Sequence, residues 1–202
     1  MSTRIPSASG FFAAVLVTAA LLVGCSDAGE QATTTAPEQV LWESFAATTI
    51  SAYYDHNPEV AVYAGLHEYD GQMSDVSLAA QEDYARWIDG VIAAANTYSE
   101  LAGIEAFERD YLVLALEGER FWIRDSGFTT NNPVSYAYAI SADVYIDREY
   151  APLAERMVAY TSYVSGLPAM LGTMKENLKP PLPAPYIKTA ENIFSGMAEN
   201  FL

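Results

Sequence analysis

From residue 37 onward, apolar side chains return every three or four positions, the spacing that turns one face of a helix towards a core. Leu41, Phe45, Thr49 and Ala52 mark a first helix over about residues 37–54. Pro37 suits its first turn, and Glu38 beside it favours the positive end of the helix dipole. Asp55-His56-Asn57-Pro58 interrupts the pattern. Asn57 can cap a second helix, with Pro58 at its first position and Gly65 closing it. Residues 66–76 hold the turn signal Asp70-Gly71 and read as a loop. Ser77 then caps a long helix with a stripe of Tyr84, Trp87, Ile88, Val91, Ala95, Tyr98 and Leu101, which Gly103 stops. Glu82 and Arg86 stand four apart on its wet face, a spacing that favours an ion pair. The next helix, about 105–125, shows Phe107, Tyr111, Leu114, Gly118 and Phe121 along one face, widened by Leu112 and Leu116. The two read as an antiparallel pair, each over 20 residues long.

Residues 127–138 lose the helical period. Tyr136, Tyr138 and Ile140 alternate as a short strand would, but the preferred reading is a loop leading to a short helix. Pro152 starts a helix that turns Leu153, Met157, Tyr160 and Val164 inward. Gly166-Leu167-Pro168 kinks or ends it. A further helix carries Leu171, Met174 and Leu178, and Lys179 to Pro185 forms a stiff proline connector. The last helix faces its core with Tyr186, Ala190, Phe194, Met197 and Phe201. No glycine, basic turn or polar tail follows that stripe, so it predicts a partner element and a chain that is a piece of something longer. The pattern predicts an all-α fold: a helical array with two long antiparallel helices, no sheet, and one incomplete domain over residues 37–202.

The segment ahead of these helices is different. Residues 1–24 hold one charge, Arg4, and then 13 residues from Phe11 to Val23 broken only by Thr18. About 20 apolar residues are needed to cross a bilayer, so this run fits the core of a signal peptide. Leu22-Val23-Gly24-Cys25 resembles a bacterial lipobox, with Cys25 the lipidated first residue of the mature chain. Several acyl chains on one residue anchor stably. Ser26 at the next position favours the outer membrane, facing the periplasm, in a Gram-negative cell. Residues 25–36 contain no large apolar side chain and read as a flexible tether.

Composition narrows the chemistry. Hydrophobic residues make up 51% of the chain, enough for a substantial core. The formal net charge is -16, which repels nucleic-acid phosphates, so a nucleic-acid partner is excluded. Cys25 is the one cysteine, so no disulfide can form within the chain. Of the two histidines, His67 opens a His-Glu pair like that of the zinc motif His-Glu-x-x-His, but Gly71 stands where the second imidazole belongs. Asp70, Gly71 and Asp75 lack the ligand spacing of a calcium loop. No nucleophile elbow, phosphate-cradling loop or dinucleotide fingerprint is present. The 14 tyrosines and 3 tryptophans could line a peptide or sugar groove, though most lie on helical stripes, where core packing is their ordinary role. No catalytic, metal or cofactor residue is assigned.

A series of short motifs carries a family resemblance: Gly65-Leu66-His67-Glu68-Tyr69-Asp70-Gly71, then Ser74-Asp75-Val76-Ser77, Asn132-Pro133 with Tyr136, Pro152 and Arg156, Pro168, Asn177-Leu178, Pro180-Pro181 and Gly196. In this order they resemble the amino-terminal part of the domain of unknown function 885 family. Those are mostly helical bacterial proteins, often lipoproteins, related to zinc metallopeptidases of the gluzincin type. The resemblance implies a lipid-anchored envelope protein whose complete form binds zinc and acts on peptides. It places the metal on a later His-Glu-x-x-Pro-Gly-His segment that no position here matches. This chain would then be the helical front portion, inactive alone. The alternative is a non-enzymatic helical lipoprotein for binding or scaffolding.

Overall fold

The computed structural model describes residues 37–199. The leader, Cys25 and the tether lie outside the described residues. Among the described residues the chain is helical and contains no strand.

Helix α1 spans Pro37–His56, and α2 spans Pro58–Tyr63. On α1 Trp42 and Thr49 are buried; Thr49 belongs to the expected stripe, while Leu41 is exposed and Trp42 beside it turns inward instead. Trp42 meets Phe45 and Tyr98 at ring distances of 5.6 and 5.5 Å, and its indole N–H donates to Glu108 at 3.3 Å. Asn57 stands at the start of α2 but caps nothing with its side chain. Its amide instead donates to the Tyr53 carbonyl and to the Tyr84 hydroxyl, both at 2.9 Å.

Helices α3 (Leu78–Ala95) and α4 (Gly103–Arg124) form the antiparallel pair. Ser77 caps α3 by accepting from the Ala80 N–H at 3.2 Å. Helix α3 ends sooner than the periodicity suggests, leaving Tyr98 and Leu101 in the connector. Gly103, with φ +63°, opens α4 and does not close α3. The expected Glu82–Arg86 pair does not form. Arg86 turns to Asp83, and Glu82 reaches across the hairpin to Arg124 at 2.6 Å. Arg120 and Arg124 both meet Asp89, at 2.8 and 2.5 Å. These hydrogen bonds hold the Glu82 and Asp89 carboxyls below their ordinary range.

A larger departure lies on α4. The face turned to α1 and α3 carries Leu112, Val113, Leu116 and Ile123, interrupted by Glu119 and Arg120. The more continuous stripe of Phe107, Tyr111, Leu114 and Phe121 points outward. With Ile104 and Trp122 it forms an open face whose large side chains are 49–68% exposed.

The second half is built on α7, Leu153–Asn177. It is one helix of 25 residues, not the two the Gly-Leu-Pro sequence suggests. Pro168 lies exposed, so the backbone bond it cannot make is lost on the wet side. Its buried stripe is Arg156, Ala159, Tyr163, Leu167, Met170, Met174 and Asn177, while Leu153 is exposed. The irregular stretch before it contains short helices α5 (Phe128–Asn131) and α6 (Asp143–Asp147), with 3₁₀ turns between them and no strand. Two side chains of α7 serve the carbonyls of these segments, and a third serves the loop before α3. Arg156 donates to Tyr145, Ile146 and Ala151 at 2.8, 2.9 and 3.0 Å. Tyr163 donates to Ala139 at 2.7 Å, and Asn177 to Val76 at 2.7 Å. Helix α8 (Ala184–Glu199) then lays Ala190, Phe194 and Met197 inward, as its spacing predicts.

The two faces of this description separate in an unfolding experiment. Arg156→Met leaves three carbonyls without their donor and should cost about 3 kcal/mol or more. Phe107→Ser, on the open α4 face, should change stability by about 0.5 kcal/mol or less. Urea unfolding of the two variants checks both, and equal losses would contradict the assignment of faces.

Candidate functional site

The buried side chains form two clusters. One joins Tyr84, Ile88, Val91, Ile92 and Leu116 of the α3–α4 hairpin. The other gathers Val62, Val76, Tyr136, Ala139, Tyr145 and the inner face of α7. A cleft of about 950 Å³ opens along the seam between them. Its walls come from the end of α1 (Tyr53, Asp55, His56), the 72–76 loop, the start of α3 (Gln81, Tyr84), the second half of α4 (Gly118, Glu119, Trp122) and the turns around Phe128 and Tyr136.

The polar groups of this cleft are few and mostly anchored. Asp55 accepts from the Tyr69 hydroxyl at 2.7 Å, and Asp75 from the Ser77 N–H at 2.8 Å. Gln81 donates to the Val76 carbonyl at 2.7 Å, and Tyr136 to the Thr129 carbonyl at 2.6 Å. Glu119 differs. Its partner is the Tyr84 hydroxyl, which in turn accepts from Asn57. No ion pair reaches it among the described residues. Burial pushes the Glu119 carboxyl above its ordinary range, against the pull of the Tyr84 hydrogen bond. Burial and the Glu119 charge together raise the Tyr84 and Tyr53 phenols. His56 packs against Tyr84 and Trp87 at ring distances of 4.7 and 5.0 Å, and burial lowers its imidazole. The arrangement is a half-apolar recess with one desolvated carboxyl on its wall.

His67, the residue singled out by its His-Glu pair, lies elsewhere, on a 3₁₀ turn over His67–Tyr69. Its ring stacks on Tyr150 at 3.5 Å, and its Nδ1 meets Asp70 at 3.1 Å, while the Tyr150 hydroxyl donates to Asp70 at 2.8 Å. Gly71 beside it touches α7. Its N–H donates to the Tyr145 hydroxyl at 3.0 Å, and a Cβ there would fall 2.8 Å from the Ser162 Cβ. The motif is therefore a clasp that fastens the 66–76 loop to α7. The residues do not fit a zinc site. Among the described residues no three His, Cys, Asp or Glu side chains converge, and both imidazoles are packed against tyrosines in separate surroundings.

Cys25, the single residue assigned a chemical role from sequence, lies outside the described residues. Glu119, Tyr84, Tyr53 and Asn57 were not singled out as a site by sequence reasoning. One signal was present: Glu119 occupies a core-facing position of α4, between Leu116 and Ile123 in the inner register. In comparisons with protein-family models, curated proteins and solved structures, nothing matches this chain.

Two outcomes test these assignments. Gly71 and Gly65 both have positive φ, +74° and +93°, but only Gly71 has neighbours in the way. Gly71→Ala should cost about 1–3 kcal/mol beyond the cost of Gly65→Ala, read by thermal melts. Glu119→Gln keeps an acceptor for Tyr84 and removes the desolvated charge. A raised folded-state pKa adds stability below the unfolded value, 4.5, that is lost as pH rises through the folded one. The parent should therefore lose ground to the Gln variant as pH rises from below 4.5 through the raised folded-state range. His56 titrates in both proteins and cancels in the difference. A constant gap across that range would refute the burial of Glu119.

Proposed function

We propose that this chain is the helical front portion of a lipid-anchored bacterial envelope protein of the peptidase-like kind it resembles, with hydrolytic chemistry borne by residues outside it. The observation that carries this reading is the open face of α4. Ile104, Phe107, Tyr111, Leu114, Phe121 and Trp122 line a stripe about 27 Å long at the rise of an α-helix. An isolated soluble domain rarely leaves so continuous an apolar surface bare. A further helical body laid along α4 would cover it. The role of this portion is then to shape and hold, with Cys25 tethering the assembly to the membrane.

The motif residues support the same division of labour. Asp70, Gly71, Asn132, Tyr136, Arg156 and Asn177 all serve as joints of the fold. The cleft favours a second reading, a lipoprotein that binds a ligand without any enzyme body.

The chain alone should hydrolyse no peptide and take up no stoichiometric zinc. Metal titration with peptide-cleavage assays on the purified chain measures both, and tight zinc binding or turnover would overturn the proposal. The double variant Phe107→Ser, Leu114→Ser should lower binding of a hydrophobic dye at unchanged melting temperature. Coding DNA read past codon 202 should encode the zinc segment in frame.

A further inference from the structure

The seam cleft has a chemistry that the α4 face does not explain. Its walls present Tyr53, Tyr84, Trp122, Phe128 and Tyr136, and among the described residues no lysine or arginine lines it. The charged groups along it are Asp55, Asp75 and Glu119, beside His56. Asp55 and Asp75 are already held by hydrogen bonds from Tyr69 and Ser77. Glu119 faces the recess with the Tyr84 hydroxyl as its partner, whereas Glu82 and Asp89 on the facing helix α3 take arginines. A carboxylate withdrawn from water gains most from a cation that enters with it. Aromatic walls attract the same charge through their ring faces, and they accommodate an apolar chain attached to it. A bare metal ion would find one carboxylate where several oxygen ligands are needed.

We propose that this cleft binds an organic ammonium group carried on an apolar chain, with Glu119 as its counter-ion and the aromatic side chains as its walls. The ammonium can come from a free amine or from the amino terminus of a short peptide. Gly118 lies on the same wall, one residue from Glu119, with nothing within 4 Å of where its Cβ would stand. The inference goes beyond the reading above and does not rest on it, since the cleft is formed within this chain whether or not a partner covers α4.

Isothermal titration of the full chain with hexylammonium, hexan-1-ol and hexanoate tests it. Hexylammonium should bind saturably, one to one, and the other two at least tenfold more weakly. Glu119→Gln should weaken hexylammonium at least tenfold. Gly118→Leu, which keeps the carboxylate and favours the helix, should block binding by filling the recess. Tetra-alanine with a free or an acetylated amino terminus, and spermidine, then assign the source. Binding of the free-terminus peptide alone points to peptides, and binding of spermidine alone to free amines. Equal affinity for hexan-1-ol and hexylammonium, or weak multisite binding untouched by both variants, would overturn the proposal.

Discussion

The fold depends on polar side chains that one helix lends to segments with little regular structure of their own. Residues 127–152 form no ladder, only short helices and turns, so some of their carbonyls have no regular partner. Arg156 and Tyr163 project from the buried side of α7 and supply such partners, while Asn177 ties the Val76 carbonyl and the Tyr136 hydroxyl to the same helix. Arg156 is 7% exposed and its charge meets three carbonyl dipoles with no carboxylate. A buried cation is tolerated on such terms only when its hydrogen bonds are all well made. Helix α7 therefore acts as a template. It fixes the irregular stretch, and through Gly71 and Tyr145 it fixes the 66–76 loop that floors the cleft.

The hairpin of α3 and α4 works by a different rule. It brings three arginines inward, where Arg120 and Arg124 bind Glu82 and Asp89 and Arg109 donates to the Tyr98 carbonyl at 2.6 Å. Leu112, Val113, Leu116 and Ile123 pack at the same register, and together these contacts define the rotation of α4 about its axis. That rotation has two consequences. It delivers Glu119 to the cleft beside Tyr84, and it turns the helix's best apolar stripe to the outside.

The same rotation explains what could be read in the sequence and what could not. Starts and stops were legible where local chemistry is strong: Ser77 caps, Pro58 opens, Pro152 precedes α7. The stripe of α8 was legible because the other faces of that helix are mostly polar or small. On α4 two faces are apolar, and the cleaner one is not the buried one, since the inner face is broken by Glu119 and Arg120. Periodicity ranks faces by hydrophobicity, whereas the packed face combines apolar contacts with charged groups that pair across to α3. On α7 the inward stripe is displaced by one residue because it includes Arg156, a residue no hydrophobic pattern would place inside. Pro168 reads as a helix end from sequence, but its exposed position lets the helix continue. The cleft itself was illegible, because it is assembled from five segments whose approach depends on those rotations.

Trp122 stands at the boundary of two surfaces, with one edge on the open stripe of α4 and another on the cleft, its ring 5.3 Å from Phe128. A body that settles on the stripe and shifts this indole changes the space offered to anything in the recess. Thermodynamic linkage makes the effect reciprocal: the factor by which cover alters affinity inside is the factor by which an occupant inside alters the hold of the cover. Were such a cover and such an occupant both to touch this indole, one side chain would couple the outer face of the molecule to its recess.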